Sequence, residues 1–346
     1  MKTIETARLI LRKFTQGDFD AVHSYAGDYD NLIYMPFGPN TKDETQAFLD
    51  RAFAKYEANP TTNYSFAAII KETGKLIGGC ELDLSGDHKS EIGWILHRDH
   101  WNKGYGTEMG KRLLTLGFDE LNLQKIIAHC DTENIGSYRV MEKLGMRREG
   151  EFFDARPPHK QSTRQFSDEF RYAILKSEWE VQKEIAYYNS LPFEFNGFID
   201  IPALTNGEIY LVCTAKQPGD PVKNWVPGYN FAICKNGEKI GDINLRIGHG
   251  GGPKNDNLYY CGHIGYAVDE AHRGHGYAAE ACKLLLPIAR AHKMTKLLIT
   301  NNVTNTASRR VCEKLGAKLI RVARLPEWID MYKEGQRFSN IFEWSV

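Results

Sequence analysis

One sequence feature limits the fold of this chain more than any other: a long pattern occurs twice, in the same order and without a gap. EIGWILHRDHWNKGYGTEMG covers residues 91–110, and HIGYAVDEAHRGHGYAAEAC covers residues 263–282. A second pair follows, NIGSYRVMEKLG at residues 134–145 and NTASRRVCEKLG at residues 305–316, with eight of twelve positions identical. The offsets are 172 and 171 residues. Repeats of this length predict two related domains and exclude a solenoid of short repeats.

The length of the chain agrees with two domains. A chain of 346 residues can bury two separate cores of ordinary size. We predict an N-terminal domain at residues 1–176, a helix and linker at residues 177–207, and a C-terminal domain at residues 208–346. The linker ends in a stretch punctuated by Pro, Asn and Gly, which is typical of a boundary.

Composition narrows the possible partners. Lys and Arg together number 44, as do Asp and Glu, so no bulk charge attracts nucleic acid or an anionic membrane. The first residues form no apolar signal core, and no window approaches about 18 uninterrupted apolar residues. We therefore predict a cytoplasmic protein that binds neither nucleic acid nor membrane. His-x-x-His occurs at residues 97–100 and 272–275 without an evident third ligand, so we predict no metal site.

In each repeat a strand pattern leads through a glycine-rich turn into a helix pattern. This arrangement directs free backbone N–H groups and the positive end of a helix dipole at one point, where an anion can bind. Small residues let a pyrophosphate approach those N–H groups, and nearby cations add charge. The small residues are Gly104, Gly106, Gly276 and Ala278, and the cations are Lys103, Arg273 and His275. The turn lacks the third glycine of a dinucleotide fingerprint and the Lys-Ser/Thr of a P-loop.

These motifs carry a family resemblance. WNKGYG at residues 101–106 and RGHGYA at residues 273–278 resemble the R/Q-x-x-G-x-G/A motif of GCN5-related N-acetyltransferases (GNAT). The segments that begin at Asn134 and Asn305 resemble the next motif of that family. The first half, with RLILR near its start, resembles the branch that acetylates ribosomal-protein N-termini, and residues 208–346 resemble a less characterised branch. The resemblance implies an α/β (α+β) fold of two tandem GNAT domains, each a mixed, mostly antiparallel sheet with a splayed central strand pair flanked by helices.

The resemblance also implies acetyl-CoA as co-substrate, bound between the fourth and fifth strands of each domain. The backbone N–H of Leu96 or Val268 is then expected to face the thioester oxygen as an oxyanion donor. By position, the acetyl-CoA-binding residues would be Ile95, Leu96, Trp101, Asn102, Lys103, Gly104, Tyr105, Gly106, Thr107 and Asn134 in the first half, and Ala267, Val268, Arg273, Gly274, His275, Gly276, Tyr277, Ala278 and Asn305 in the second.

Acetyl transfer to an amine requires a base, because most of the amine is protonated at neutral pH. Glu91 is the candidate in the first half, since it shares a strand face with Gly93 and Ile95; the alternative is a solvated strand carboxylate. His263 occupies the equivalent place in the second half, and titration near neutrality suits a base. Its alternative, which we favour, is a hydrogen-bonded strand histidine.

The general acid is harder to place. Many family members carry a tyrosine seven residues after the motif asparagine, but this chain has Met141 and Cys312 there. Ser137 and Ser308 could hydrogen-bond the sulfur instead, as the resembled branch implies, or they could cap the helix that follows. A thiolate with a pKa of about 8.5 can also leave without protonation.

The sequence therefore predicts acetyl transfer from acetyl-CoA to a primary amine by direct attack in a ternary complex. The acceptor would be a protein N-terminus or a small-molecule amine. In the alternative, one domain is catalytic and the other only binds CoA or has a structural role. The second domain is the candidate for that role, because its first two strand patterns lie too close together to include a helical wall. The oligomeric state stays open.

Overall fold

A computed structural model describes residues 2–86, 89–158, 163, 165–220, 222, 225–249 and 257–346. The chain divides into two compact units, Met1–Gln182 and Lys183–Val346. The helix at Lys176–Asn189 crosses this division. The domain limits given above, with a separate linker, stay a prediction.

The first unit consists of a sheet covered by helices. Its described strands are β1 (Ile4–Glu5), β2 (Leu9–Arg12), β3 (Asn63–Ile70), β4 (Leu76–Gly86), β5 (Lys89–Leu96), β6 (Lys125–Asp131), β7 (Arg147–Arg156) and β8 (Ser167–Leu175). The helices are α1 (Phe19–Ala26), α2 (Tyr29–Leu32), α3 (Lys42–Tyr56), α4 (Tyr105–Thr115), α5 (Ile135–Lys143) and α6 (Lys176–Asn189). A π-helical turn, Leu116–Glu120, continues α4.

The sheet of the first unit has the order β1-β2-β3-β4-β5-β6-β8-β7. All neighbouring strands are antiparallel except β5 and β6, which are parallel. These two strands pair only at Ser90 with Ile126 and at Glu91 with Ile127, and beyond this point they separate. The mixed sheet with a splayed central pair is therefore confirmed.

Two apolar layers hold the helices on the sheet. Met109, Leu113 and Leu114 on α4 are fully buried in the core on one face of the sheet. A Cβ at Gly110 would lie 2.4 Å from a Leu144 methyl group, so glycine allows α4 to approach the end of α5 closely. A second core on the opposite face includes Leu49 of α3. Truncating a buried leucine such as Leu113 to alanine should cost about 2–5 kcal/mol.

The second unit repeats this plan with shorter connections. Its described strands are β9 (Tyr210–Gln217), β10 (Gly228–Lys235), β11 (Glu238–Arg246), β12 (Ile264–Val268), β13 (Lys296–Asn302), β14 (Lys318–Arg324) and β15 (Phe338–Ser345). The helices are α7 (Asn257–Cys261), α8 (Tyr277–Leu284), α9 (Leu286–Ala291), α10 (Thr306–Lys314) and α11 (Asp330–Lys333). Between β9 and β10 the described residues include no helix, whereas α1, α2 and α3 lie between β2 and β3.

The separation of the central strands goes further in the second unit. The described strands form two sheets, β12-β11-β10-β9 and β13-β15-β14, with no ladder between β12 and β13. His263 connects the two sheets: its N–H donates to the Leu298 carbonyl over 2.7 Å, and its Nδ1 accepts from the Leu298 N–H over 2.8 Å. One backbone bond and one side-chain bond of a single residue therefore stand here in place of the short backbone ladder of the first unit.

None of the helices among the described residues combines the length and the apolar character that crossing a bilayer requires.

Candidate active site

The predicted acetyl-CoA-binding residues follow one path in each unit. In the first unit the path runs from the end of β5 through the turn to the start of α4 and on to the start of α5; in the second it runs from β12 to α8 and α10. Asn102 and Gly274 hold matching left-handed conformations, with φ values of 58° and 87°. Gly104 and Gly276, with φ values of 81° and 87°, directly precede α4 and α8. Both helix starts thus have the same unusual backbone.

The first turn of each helix presents backbone N–H groups that have no partner inside the helix. A Cβ at Gly104 or Gly276 would meet only the end of a flexible side chain, Arg8 Nη2 at 3.3 Å or Lys314 Nζ at 3.6 Å. Gly106 is buried, and a Cβ there would lie 3.3 Å from Val140. Gly106 therefore serves the packing of α4 against α5, and Ala278, also buried, takes this place in the second unit. Lys103, Thr107 and His275 lie beside the turns, and Lys103 and His275 are exposed.

The tyrosine of each turn is held by a cation. In the first unit the Arg8 guanidinium lies 4.5 Å from the ring centroid of Tyr105 and forms an ion pair of 2.7 Å with Glu108. In the second unit the Lys235 ammonium lies 4.6 Å from the ring centroid of Tyr277. Arg8 lies just before β2 and Lys235 ends β10, so each unit stabilises its helix start with a cation from a different place.

Trp101 departs from the arginine or glutamine of the motif, and the structure accounts for the change. The indole Nε1 of Trp101 donates to the Leu96 carbonyl over 2.9 Å. In the second unit Nε of Arg273 donates to the equivalent carbonyl, that of Val268, over 3.0 Å. Both side chains therefore tie the turn to the end of the central strand.

The central strands direct N–H groups toward the gap. The N–H of His97 bonds to β4 over 2.8 Å, and that of Asp269 bonds to β11 over 3.0 Å. Because successive N–H groups of a strand point to opposite sides, those of Leu96 and Val268 point away from these neighbours. Ile95 and Ala267 precede them in the same strands, so this geometry matches the predicted oxyanion position in each unit.

Asn134 and Asn305 begin the next helices, α5 and α10. Their Oδ1 atoms accept from the N–H groups of Ser137 and Ser308, each over 3.0 Å. The asparagines are therefore the caps, and the serine hydroxyls do not have the capping role considered as their alternative. The Ser308 hydroxyl instead lies 2.9 Å from the Tyr266 hydroxyl.

The residues at the usual tyrosine position belong to the core. Met141 is 1% exposed and Cys312 is fully buried. Burial raises the pKa of the Cys312 thiol to about 12. In the first unit the Ser137 hydroxyl bonds to Cys130, whose pKa burial also raises to about 12.

Glu91 lies at the last paired position before β5 and β6 separate. Its Oε1 is 3.0 Å from His129 Nδ1, and their side chains are 40% and 34% exposed. Burial raises the pKa of the Glu91 carboxyl above its ordinary value. The His129 imidazole opposes this effect on the pKa. A carboxylate with a raised pKa is a stronger base near neutral pH.

Further carboxylates lie around Glu91. Glu81, Glu169 and Asp83 each raise the Glu91 pKa. The buried Asn63 joins two of them, because its Nδ2 donates to Glu81 over 3.2 Å and to Asp83 over 3.1 Å. The first unit therefore surrounds its candidate base with negative charge, which favours a positively charged amine.

The second unit carries different side chains at the same register positions. Arg246 lies opposite His263, as Asp83 lies opposite Glu91. Asn244 lies opposite Gly265, where the first unit has Glu81 opposite its own glycine. At these two positions Arg246 and Asn244 therefore replace the carboxylates Asp83 and Glu81 of the first unit.

His263 itself is bound on both ring nitrogens. It is 3% exposed, Nδ1 accepts from the Leu298 N–H, and Nε2 lies 3.2 Å from the Gly248 carbonyl. Burial lowers the pKa of His263 to about 4. These are the contacts of a hydrogen-bonded strand histidine, and they leave no free nitrogen for an incoming amine.

Helix α7 lies between β11 and β12, whereas the described residues between β4 and β5 of the first unit include no helix. It packs on β13 and β15 and buries Leu258, Tyr259 and Tyr260. Leu298 of β13 faces away from the main core and is only 1% exposed, whereas Ile127 at the same position of β6 is partly exposed. The Tyr259 hydroxyl fixes the helix by donating to Glu184 over 2.5 Å.

The chain is similar to known acetyltransferases. The sequence model for the acetyltransferase (GNAT) domain matches residues 8–147 and 214–318. A Bacillus subtilis protein named uncharacterized N-acetyltransferase YnaD is 39% identical over 178 residues, which cover 51% of this chain and 98% of that protein. The crystal structure of an acetyltransferase (GNAT family) from Bacillus anthracis is 38% identical, covers 51% of this chain and all of its own, and has a TM-score of 0.45. Spermidine N-acetyltransferase from Vibrio cholerae, solved with CoA and spermine, is 23% identical, covers 50% of this chain and 99% of its own, and has a TM-score of 0.44.

Proposed function

The chain belongs to the GNAT acetyltransferase family, and from that premise we propose that its first unit transfers the acetyl group with Glu91 as base, while its second unit binds acetyl-CoA without transfer. The protein is an N-acetyltransferase that uses acetyl-CoA and an amine acceptor. The observation that carries the assignment to the first unit is the position of Glu91, partly exposed and 3.0 Å from His129 where the central strands part.

The residues of both turns fit acetyl-CoA. Gly104 and Gly276 leave the helix starts open to a pyrophosphate, and a side chain at either position would require a left-handed backbone. The N–H groups of Leu96 and Val268 would face the thioester oxygen. Acetyl-CoA supplies the acetyl group: the C–S bond of the thioester breaks as the C–N bond of the amide forms. An acceptor that starts as an ammonium group and acetyl-CoA together yield an amide, CoA thiol and one proton.

In the first unit Glu91 accepts a proton from the ammonium group of the acceptor. The N–H bond breaks, an O–H bond forms on the carboxylate, and the nitrogen lone pair becomes free to attack. The raised pKa of Glu91 suits this transfer, because an ordinary glutamate is a weaker base. The Ser137 hydroxyl would hydrogen-bond the departing sulfur.

In the second unit the proposed absence of transfer has two supports. His263 has both ring nitrogens bound to the backbone, and α7 covers the face on which an acceptor would lie. His263 and Ser308 would then stabilise the fold of the second unit through their hydrogen bonds and have no catalytic role. This is the alternative in which one domain is catalytic and the other only binds CoA.

We propose a cationic primary amine as acceptor, either a protein N-terminus or a small molecule. The carboxylates around Glu91 support the positive charge and are compatible with both. The family resemblance of the first half points to protein N-termini, and a relative is named for spermidine. A peptide that begins with alanine and spermidine are therefore the first acceptors to compare.

The experiment that tests the proposal is Glu91→Gln in the full chain. CoA thiol release is measured with acetyl-CoA and each of the two acceptors. We expect kcat/KM to fall about 10²-fold, because general base catalysis contributes on that order, while acetyl-CoA affinity stays unchanged. Retained activity in this variant, or no release by the unmodified protein with either acceptor, would overturn the proposal.

A further inference from the structure

A histidine and a second carboxylate lie behind Glu91 in the first unit. His129 lies on β6, on the partly exposed face that it shares with Lys125 and Ile127. Its Nδ1 is 3.0 Å from Glu91 Oε1, and its Nε2 is 3.9 Å from Glu169 Oε2. The imidazole therefore lies between two carboxylates that come from different strands.

Glu169 is anchored independently of His129. Its side chain is only 6% exposed, and its Oε1 accepts from Arg171 Nε over 2.5 Å. Arg171 lies directly opposite His129 in the β6–β8 ladder. The imidazole thus has a fixed carboxylate on one side and the partly exposed Glu91 on the other.

We propose that His129, held between Glu169 and Glu91, is a positioning residue that fixes one oxygen of the Glu91 carboxylate and leaves the other to take the proton of the acceptor. The ion-pair contact of 3.0 Å between Nδ1 and Oε1 restricts the rotation of the Glu91 side chain, and a side chain held in one orientation shortens the search for the reactive geometry. The inference rests on the proposed function, since it assigns a role relative to Glu91.

The charged groups that face Glu91 determine how the pH dependence of kcat/KM should change when His129 is replaced. On β4 these are Glu81 and Asp83, on β8 Glu169, and on β6 His129. The three carboxylates raise the pKa of Glu91, and only His129 among these groups lowers it. Removing the imidazole should therefore raise the Glu91 pKa and move the acid limb of kcat/KM to higher pH.

The second unit supplies a matched control. By the 171-residue offset, Thr300 on β13 occupies the position of His129, and it is paired with Ile341 where His129 is paired with Arg171. Because the second unit has His263 and not a carboxylate at the position of Glu91, a substitution at Thr300 tests the general effect of changing this strand position.

The experiment measures the pH profile of kcat/KM for spermidine or the alanine peptide, whichever is turned over, in His129→Leu, His129→Gln and Thr300→Leu. We expect His129→Leu to lower kcat/KM about 10-fold or more and to displace the acid limb upward. His129→Gln retains an N–H donor but no charge, so it should recover most of the rate while the limb stays displaced. Thr300→Leu should change neither.

The results separate the inference from the proposed function. A His129→Leu variant with the rate and acid limb of the unmodified protein, alongside an impaired Glu91→Gln variant, overturns only the role of His129. An unaffected Glu91→Gln variant overturns the proposed function itself. If both His129→Leu and His129→Gln lower kcat/KM but leave its acid limb unchanged, His129 has only a structural role and the inference is overturned. If His129→Leu does not fold, the acid limb of kcat/KM in His129→Gln tests the role of His129: a displaced limb supports it, and an unchanged limb overturns it.

Discussion

The two units share the backbone of the turn that is predicted to bind acetyl-CoA, but they differ in the residues around Glu91 and His263. Both carry a left-handed glycine before a helix, an asparagine cap on the next helix, and a side-chain bond to the end of the central strand. They differ where an acceptor would lie: Glu91 is partly exposed among carboxylates, and His263 is buried and bound to backbone. Under the proposed function, binding and transfer would depend on separate parts of this fold, which could change independently.

The largest expected effect comes from blocking one turn at a time. Gly104→Glu should lower turnover more than about 10²-fold, because a left-handed position disfavours any side chain and the added charge repels phosphate. Gly276→Glu should leave turnover unchanged. Calorimetric titration with acetyl-CoA should give two equivalents for the unmodified protein and one for each variant.

Thermal unfolding of both glycine variants controls for loss of the fold. Turnover that survives Gly104→Glu and disappears in Gly276→Glu would reverse the assignment of the two units. A single equivalent bound by the unmodified protein, lost only in Gly104→Glu, would make the second unit structural.

The buried His263 of the second unit should make the stability of the protein depend on pH. The folded-state pKa of His263, about 4, lies below the unfolded value of about 6.5, so its contribution to stability is present above pH 6.5 and disappears as the pH falls toward 4. The free energy of unfolding should lose on the order of 3 kcal/mol over that window. His263→Gln removes this titration but can still bond to backbone.

The measurement is thermal unfolding of the full chain at pH 7 and pH 4.5. The difference between the two pH values should be smaller in His263→Gln than in the unmodified protein, and CoA release at pH 7 should be the same in both. Equal acid sensitivity would show that His263 does not titrate as its burial indicates, and a loss of CoA release would return it to the list of candidate bases.

The smallest expected effect concerns the bond shared by the two turns. Trp101→Phe removes the indole donor to the Leu96 carbonyl and should cost about 1 kcal/mol of folding stability. Trp101→Arg should restore it, since Arg273 makes the same bond in the second unit. Thermal unfolding compares the three proteins; an arginine variant no more stable than the phenylalanine variant would contradict the equivalence.

The repeated motifs are local patterns that carry the resemblance to the family, and that resemblance implied the fold class and the splayed strands, both of which the structure has. The position of Glu91 on the strand face was also accessible from alternation. His129 and Glu169 were missed, since their contact with Glu91 depends on which strands become neighbours, and the sequence patterns do not state the order β5-β6-β8. The alternation in KIIAHCD at Lys125–Asp131 places His129 on the same face as Ile127 and could have indicated it once that order was known.

Helix α7 was missed for a different reason. It is short, and its buried tyrosines resemble ordinary loop aromatics until β13 and β15 are in place. The alternative in which Ser137 and Ser308 cap their helices was wrong, because Asn134 and Asn305 are the caps and accept from the backbone N–H groups of these serines.

Trp101 and Arg273 make the same hydrogen bond, and this affects how related sequences are identified from a motif. A search pattern written in residue letters penalises tryptophan at this position, although the atom that matters, a planar N–H donor at the right distance from the strand end, is present in both. A pattern written in donor atoms would score the two copies alike. Sequences set aside for lacking the arginine would then become candidates for the same turn.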